Sequence, residues 1–344
     1  MVRSNIIATP VPVNARHRSG RLHIARRVVL GPAILQLALC AWLCGATKSD
    51  GAELRPIVVT TATGQFLLYA SFPSRHVTPR RVVVWVPPGY QSGSKRYDVL
   101  YMQDGQGLFN ASEAFGGVPW AIDQHLLKLE AARAVRPTLI VGIDNTAART
   151  REYEPAAALE TLPLELRQRI DDDAGGLPQS DAYVEFLVGE LKPFIDQHFR
   201  TRHSAGHTAI MGSSMGGLIS LYALLRHPEV FGAAGCLSTH WVISDTVSQL
   251  AADNPLLSAA AGAYISWIDA HLPPPGAHRL YFDHGTESLD ALYGPYQAQV
   301  DALLARHGYR DGVNSKSLTF PGATHNEASW QQRVDVPLRF LLAP

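Results

Sequence analysis

The feature of this chain that most limits its fold is the segment from His207 to Arg226, with Ser214 at its centre. An apolar run typical of a β-strand ends at Met211, and a run rich in Leu, Ala and Ile, typical of a helix, begins after Gly216. The residues between them read Gly-Ser-Ser-Met-Gly. Glycines two residues before and after the central serine remove side chains that would collide in so tight a turn. The pattern predicts a strand, a sharp turn and a helix, with the hydroxyl of Ser214 raised at the apex.

A serine at such an apex is a candidate nucleophile. The turn holds it in a strained backbone conformation that the packed strand and helix must stabilise, and the helix N-terminus favours negative charge that develops beside it. Ser213 is the competing hydroxyl, but no pair of glycines brackets it at the same spacing. The alternative is an ordinary glycine-rich turn, so the interpretation depends on the residues at the ends of the other strands.

Apolar and alternating runs predict further strands, with helical runs between them. Besides the strand that ends at Met211, strands are expected over residues 55–61, 65–72, 80–87, 97–102, 138–143, 231–237, 278–283 and 316–320. Helices are expected over residues 120–134, 181–199, 293–307 and 335–342, and residues 144–180 and 238–276 are interpreted as insertions that roof the site. This alternation predicts an α/β fold, a mainly parallel sheet with helices on both faces.

The N-terminal segment differs in composition from the rest of the chain. Residues 1–46 carry six arginines and no Lys, Asp or Glu, and an apolar run over residues 28–46 ends in small residues. This predicts a secretory signal peptide over residues 1–46, a secreted or periplasmic protein, and a single catalytic domain over residues 47–344. The apolar run is short for a membrane span and is interrupted by Gly31 and Pro32. No stable span is expected after cleavage, and an uncleaved anchor is the alternative.

Charge and cysteine content exclude several classes of protein. The chain has 30 basic and 30 acidic residues; without the six N-terminal arginines, 24 basic and 30 acidic residues remain, a formal net charge of −6. A mildly acidic protein has no electrostatic reason to bind nucleic acid. Of three cysteines only Cys236 lies outside the N-terminal segment, and a buried strand position without a disulfide is expected for it. No zinc or dinucleotide motif is present, so no metal and no cofactor is expected, and no pattern predicts an oligomeric state.

Candidate catalytic residues come directly after the strands, because ligand sites in parallel α/β sheets form at the carboxyl ends of the strands. His325 comes after the last strand, a position that suits a general base. Glu287 and Asp290 come after the preceding strand, and Asp290 is preferred as the acid that orients the histidine, with Glu287 as the alternative. Asp283 is expected to lie within that strand. The chain order Ser214, Asp290, His325 is the order of α/β-hydrolases.

The remaining candidates concern the oxyanion and the substrate. The backbone amides of Met215 and Gln106 are the expected oxyanion donors, Gln106 lying in a glycine-rich turn after the strand over residues 97–102. Gly105, His240 and Trp241 are candidate substrate contacts, with a structural hydrogen-bonding role for His240 equally open. Arg149 and Arg151 could bind an acidic substrate group, although a salt bridge to Glu152 or Glu154 is preferred.

These motifs resemble the putative-esterase branch of the α/β-hydrolases, which includes siderophore and feruloyl esterases, S-formylglutathione hydrolase and mycolyltransferases of the antigen 85 type. The resemblance covers residues 55–342 and depends on segments at residues 86–90, 101–106, 142–145, 151–153, 212–217, 285–290 and 322–330. It implies an α/β-hydrolase fold, the same triad, and an oxyanion donor from the residue after the Asp-Gly pair, which is Gln106.

The expected function is therefore cleavage of a small-molecule carboxylic ester by a serine hydrolase, through an acyl-enzyme. Acyl transfer to an alcohol uses the same triad, and the sequence does not separate it from hydrolysis. A non-catalytic binding protein on this scaffold is a further alternative, which the intact triad disfavours. The sequence does not identify the ester. A siderophore trilactone would favour basic residues around the cleft, and an acyl chain would need a long apolar groove. An aromatic ester would favour an aromatic slot, for which Trp120, Trp241 and Trp330 are available.

Overall fold

The computed structural model describes residues 54–243, 255–276 and 278–344. Backbone contacts divide the chain into Met1–Gly51 and Ala52–Pro344, and every described residue belongs to the second unit. The signal peptide predicted over residues 1–46 lies outside the described residues. Among the described helices, none is both long enough and apolar enough to cross a membrane.

A single mixed sheet of nine strands organises the described residues. The strands are β1 (Ile57–Thr61), β2 (Gly64–Phe72), β3 (Arg80–Val86), β4 (Asp98–Met102), β5 (Thr138–Ile143), β6 (Thr208–Ser213), β7 (Ala233–Leu237), β8 (Arg279–Gly285) and β9 (Ser315–Phe320). Their spatial order is β1-β2-β3-β5-β4-β6-β7-β8-β9. The pairs along β1, β2, β3 and β5 are antiparallel and the others are parallel. The predicted α/β fold with a mainly parallel sheet is confirmed.

Helices cover both faces of this sheet. The described helices are α1 (Ile122–Ala131), α2 (Arg149–Tyr153), α3 (Ala156–Leu159), α4 (Leu164–Asp173), α5 (Ser180–Glu185), α6 (Lys192–His198), α7 (Met215–Arg226), α8 (Pro255–His271), α9 (Gly294–Arg306), α10 (Glu327–Arg333) and α11 (Asp335–Leu341). Side chains of α1 and α11 pack on one face, and those of α5 to α9 pack on the other. Helices α2 to α4 lie in the predicted insertion over residues 144–180, and α10 is not anticipated by the sequence pattern.

The inner strands are apolar on both faces because both faces are covered. In β3, Val82, Val84 and Val86 belong to one hydrophobic cluster, whereas Trp85 belongs to the cluster on the opposite face. Successive side chains of a strand point to opposite faces, so a strand buried on both sides has a continuous apolar sequence. Cys236 is a buried free thiol in β7, as expected.

The helix predicted over residues 181–199 is interrupted. It consists of α5, a π-helical stretch over Phe186–Leu191, and α6. Pro193 lies in the first turn of α6 and has no N–H to donate to the carbonyl four residues earlier. A widened turn is a common way for a helix to continue past such a gap in its hydrogen bonds.

Candidate active site

Ser214 lies where β6 meets α7. Its backbone has φ 57° and ψ −125°, a strained conformation for a residue with a side chain. Its N–H donates to the carbonyl of Leu237 at 2.9 Å, which ties the turn to the end of β7. A Cβ atom on Gly212 would lie 2.7 Å from the backbone of Gly216, so the first glycine is required by the close approach of the strand and the helix. The predicted strand, turn and helix are all present.

Asp290 lies in the loop after β8 and is completely buried. Its Oδ1 is 2.6 Å from Nδ1 of His325, and its Oδ2 accepts hydrogen bonds from Ser238 Oγ at 2.7 Å and from the Gly285 N–H at 2.6 Å. Burial alone would raise the pKa of Asp290, but the hydrogen bonds with His325, Ser238 and Gly285 outweigh it and hold the pKa below its usual value. Glu287, the alternative acid, is exposed to solvent.

His325 lies between β9 and α10, and its side chain is 14% exposed. Its backbone N–H donates to Ser288 Oγ at 2.9 Å, which joins the loop after β9 to the loop after β8. The ring meets Trp330 edge-on, with centroids 5.0 Å apart. Because Nδ1 is engaged by Asp290, Nε2 is the ring nitrogen that remains for a reacting group.

Ser214 and His325 open into one cavity of about 490 Å³. Aromatic side chains form part of its wall: the rings of Trp120 and Trp330 are 6.0 Å apart, and Phe115 is 79% exposed. The lining residues are Gln103, Asp104, Gln106, Gly107, Leu108, Phe115, Trp120, Asn145, Arg149, Ser213, Ser214, His325, Glu327 and Trp330. Two of the three tryptophans available for an aromatic slot therefore lie at the cavity.

The two amides predicted as oxyanion donors lie at the starts of helices. Met215 is the first residue of α7, and Gln106 lies in a single 3-10 turn over Gly105–Gly107. Amides in a first turn have no acceptor within their own helix. The Gln106 side chain accepts from the backbone N–H of Asn145 at 3.2 Å, which anchors the turn to the loop after β5.

Arg149 has a different partner from those predicted. Its Nε and Nη2 donate to the two carboxylate oxygens of Asp104 at 2.7 and 2.9 Å. The pairing predicted with Glu152 or Glu154 is wrong for Arg149, because α2 turns Glu152 towards the buried guanidinium of Arg80. Arg151 instead donates from Nε to the carbonyl of Leu177 at 2.9 Å. Arg149 still lines the cavity into which Ser214 opens.

Trp241 and His240 do not line the catalytic cavity. Trp241 is 1% exposed and packs against Tyr264 and Phe282 in the core. His240 is equally buried; its Nδ1 is 2.7 Å from Tyr293 Oη, and its backbone N–H donates to the Ser214 carbonyl at 3.2 Å. The turn after β7 directs both side chains inwards, so this placement supports the structural alternative for His240 and gives Trp241 no access to a ligand.

Gly105 begins the same 3-10 turn as Gln106 but faces a different cavity. It lines a neighbouring cavity of about 470 Å³, together with Phe66 and Phe109, and not the cavity of Ser214. A Cβ atom on Gly105 would lie 2.7 Å from the backbone of Gly142, so glycine allows the turn to pack closely on β5. Its placement indicates a packing role and not direct contact with substrate.

Three residues of the site have no local sequence pattern that identifies them. Ser238 and Arg333 contact Asp290 from behind, with Nη2 of Arg333 3.9 Å from Asp290 Oδ2. Glu327 lines the cavity two residues after His325, and burial raises the pKa of its carboxyl. Of these three residues, only Ser238 has a position that suggests a place in the site, because it comes directly after a strand. Within the described residues, no group of three or more His, Cys, Asp or Glu side chains is arranged to hold a metal ion.

Known proteins share this fold and parts of this sequence. Over 153 residues the chain is 29% identical to the ferri-bacillibactin esterase BesA of Bacillus subtilis, covering 42% of this chain and 49% of that one. It is 28% identical over 159 residues to an endo-1,4-beta-xylanase/feruloyl esterase of Xylanibacter ruminicola, covering 45% of this chain and 19% of that one. The chain thus spans less than two thirds of these relatives. The structure of the BES protein from Bacillus cereus superposes with a TM-score of 0.58 at 15% identity, covering 83% of this chain and 97% of that one.

The fold and the site define an α/β-hydrolase: a mainly parallel sheet, a serine at the strand–helix turn, and a histidine and an acid on the loops after the last two strands. The family model described as "Putative esterase" matches residues 75–341. The chain belongs to this esterase family, and the resemblance inferred from the sequence is confirmed.

Proposed function

We propose that this protein is a serine esterase that cleaves a carboxylic ester through an acyl-enzyme. Ser214 is the nucleophile, His325 the general base and Asp290 the carboxylate that orients it. The observation that carries the proposal is the 2.6 Å contact between Asp290 Oδ1 and His325 Nδ1, at the edge of the cavity that also contains Ser214. A buried carboxylate on Nδ1 selects the tautomer whose Nε2 can accept a proton.

In the first half-reaction, Nε2 of His325 removes the hydroxyl proton of Ser214 as Oγ attacks the carbonyl carbon. The carbonyl oxygen becomes an oxyanion, which accepts hydrogen bonds from the amides of Met215 and Gln106. The imidazolium then donates its proton to the leaving oxygen as the ester C–O bond breaks. Asp290 stays ionised, consistent with its lowered pKa, and stabilises the imidazolium.

In the second half-reaction, water replaces the alcohol. His325 takes a proton from the water as its oxygen attacks the acyl carbon, and the proton passes to Ser214 Oγ when the acyl–serine bond breaks. One ester and one water yield one acid and one alcohol. An alcohol that entered in place of water would give acyl transfer by the same steps, so product analysis with added alcohols separates the two reactions.

The substrate that we propose is an ester that carries an aromatic ring. Trp120 and Trp330 offer aromatic surface in the cavity, with the exposed Phe115 also in its lining. Aromatic pairs contribute about 0.5–1.5 kcal/mol beyond the area that they bury. One relative is named a feruloyl esterase, and a feruloyl group carries an aromatic ring.

Hydrolysis of a short-chain p-nitrophenyl ester tests the nucleophile. We expect Ser214→Ala to lower kcat by roughly 10⁴- to 10⁶-fold, with unchanged circular dichroism, and the matched variant Ser213→Ala to lose much less activity. Equal activity of Ser214→Ala and wild type would eliminate Ser214. If no ester is cleaved, labelling of Ser214 by a fluorophosphonate distinguishes a narrow substrate range from a non-catalytic binding protein.

A matched pair of aromatic and saturated substrates tests the aromatic preference. Methyl ferulate should be cleaved with a higher kcat/KM than methyl 3-cyclohexylpropanoate, and Trp120→Leu should reduce that ratio by roughly threefold to tenfold. An unchanged ratio would exclude Trp120 from recognition of the ring.

We also propose that the protein is exported and that residues 1–46 are removed. The support is compositional: six arginines without acidic residues, with an apolar run and small residues after them. Mass spectrometry of the protein recovered from the periplasm and medium tests this. A mass that retains residues 1–46 would favour the uncleaved anchor.

A further inference from the structure

A buried network behind Asp290 centres on Ser238. This residue comes directly after β7, is fully buried and has φ 43°. Its Oγ lies 2.7 Å from Asp290 Oδ2, 2.9 Å from Trp330 Nε1 and 2.8 Å from Arg333 Nη2. Left-handed backbone is uncommon for a serine, and here it accompanies a hydroxyl that three partners surround.

The direction of the hydrogen bonds at Ser238 is fixed by the chemistry of its partners. An indole N–H and a guanidinium N–H can only donate, so the hydroxyl oxygen accepts from Trp330 and Arg333. Its one proton is then directed to Asp290. The hydroxyl consequently favours the ionised form of Asp290, with Oδ2 engaged and Oδ1 left for His325.

Arg333 supplies a positive charge to the same network. Its side chain is 4% exposed, and Nη2 also donates to Asp283 Oδ1 at 2.9 Å. Asp283 in turn accepts from Tyr281 Oη at 2.8 Å. One buried cation therefore lies against two buried carboxyl groups, although burial raises the pKa of Asp283. With both groups ionised, the cluster has one formal negative charge in excess. The imidazolium that forms on His325 during the reaction supplies the missing positive charge.

We propose that Ser238 and Arg333 are positioning residues for the reaction: they fix the orientation of Asp290 and set how strongly the charged form of His325 is stabilised. This inference rests on the proposed function. The simpler interpretation is that Arg333 only attaches α10 to the sheet. The two interpretations differ in one respect, because an attachment alone does not alter the pH dependence of catalysis.

Several titratable and charged groups surround His325. Asp290 faces the ring from the loop after β8, the ring of Tyr293 lies 5.7 Å away, and Glu327 interacts with His325 from two residues along the chain. Asp104 and Arg149 act on Glu327 across the cavity and form a pair. Of these groups only Asp290 lies against Arg333. A shift in an Arg333 variant therefore reports the network behind Asp290.

The first test is the acidic limb of the pH profile of kcat/KM, where activity rises as His325 loses its proton. Arg333→Met removes the positive charge, which favours the imidazolium form of His325. The midpoint of the acidic limb should therefore move to higher pH by about one unit. Arg333→Lys keeps the charge and should leave the limb near the wild-type position. Arg339→Met removes an exposed arginine from the neighbouring helix and is the matched control.

The second test is Ser238→Ala, which keeps the pair of Arg333 and Asp283. We expect kcat to fall by roughly 10- to 100-fold, the equivalent of one hydrogen bond to a charged group, while KM changes by less than threefold. Loss of stability with wild-type kcat would overturn the positioning role of Ser238.

A nitrogen-15 NMR titration of the His325 ring, assigned with His325→Gln, provides a readout that does not need activity. An upward shift of its midpoint in Arg333→Met, with none in Arg339→Met, supports the inference; identical midpoints would overturn it. Absence of both esterase activity and Ser214 labelling in the wild type would instead contradict the proposed function, and the titration would still decide the role of Arg333.

Discussion

Asp290 shows how a single residue can be completely buried and still be ionised. Transfer of a carboxylate out of water is costly, and the cost is offset only by charge partners and hydrogen bonds. Asp290 has both: His325 on one oxygen, and Ser238 and the Gly285 amide on the other. Its pKa is lowered despite burial, which keeps the carboxylate charged as the proposed mechanism requires.

A pair of isosteric variants separates the two candidate acids. Asp290→Asn removes the charge and allows the wrong tautomer of His325, so kcat should fall by roughly 10⁴-fold. Glu287→Gln alters an exposed side chain and should change kcat less than threefold. Steady-state kinetics on one p-nitrophenyl ester measures both, and the reverse ranking would transfer the role to Glu287.

Residues that come directly after strands could be predicted, and residues that act through distant partners could not. Ser214, Asp290 and His325 each lie after a parallel strand, and the carboxyl ends of such strands meet at one edge. Arg333 is 43 residues from Asp290, and its partner depends on how α10 packs. The pairing of Arg149 was mispredicted because nearby acids in the sequence were preferred to Asp104, which a separate strand brings into contact.

At the scale of elements, strands that are buried on both faces were predicted within two residues, since their apolar runs are long and regular. The short helices α2 and α3 were not predicted, because they lie in an insertion whose conformation depends on tertiary contacts. One such contact is the ion pair of Arg80 in β3 with Glu152 in α2, at 2.5 and 2.8 Å, with both side chains about 1% exposed. The guanidinium also lies 5.2 Å from the ring of Tyr183 in α5.

This buried pair predicts strong coupling between β3 and the insertion. Arg80→Met leaves the Glu152 carboxylate buried without its partner and should lower the free energy of unfolding by roughly 3–5 kcal/mol. Adding Glu152→Leu should recover most of that loss. Arg75→Met breaks a pair whose arginine is 86% exposed and should cost less than about 1 kcal/mol. Urea denaturation compares these variants with wild type, and a double variant no more stable than Arg80→Met alone would contradict the coupling.

At the scale of the whole molecule, stability and the proposed mechanism impose opposite pH requirements. A general base must lose its proton to act, which favours higher pH. Glu154, in the same insertion, is fully buried, and within the described part of the chain neither of its carboxylate oxygens has a hydrogen-bond partner. Burial raises its pKa to about 8, with further contributions from Asp171 and Asp173. Ionisation of Glu154 therefore destabilises the fold as the pH rises towards 8.

Proton linkage gives the sign of the effect. Between the ordinary pKa of 4.5 and about 8, the folded protein holds the Glu154 proton that the unfolded chain releases. The contribution of this group to stability is therefore present below pH 4.5 and declines as pH rises to about 8, by on the order of 1 kcal/mol per pH unit.

Glu154→Gln keeps the shape of the side chain and cannot ionise. Its stability relative to wild type should increase from pH 5 to pH 8 in urea denaturation, whereas Glu165→Gln, at an exposed position on α4, provides the matched comparison. A constant difference between Glu154→Gln and wild type across this range would show that Glu154 does not hold its proton in the folded protein.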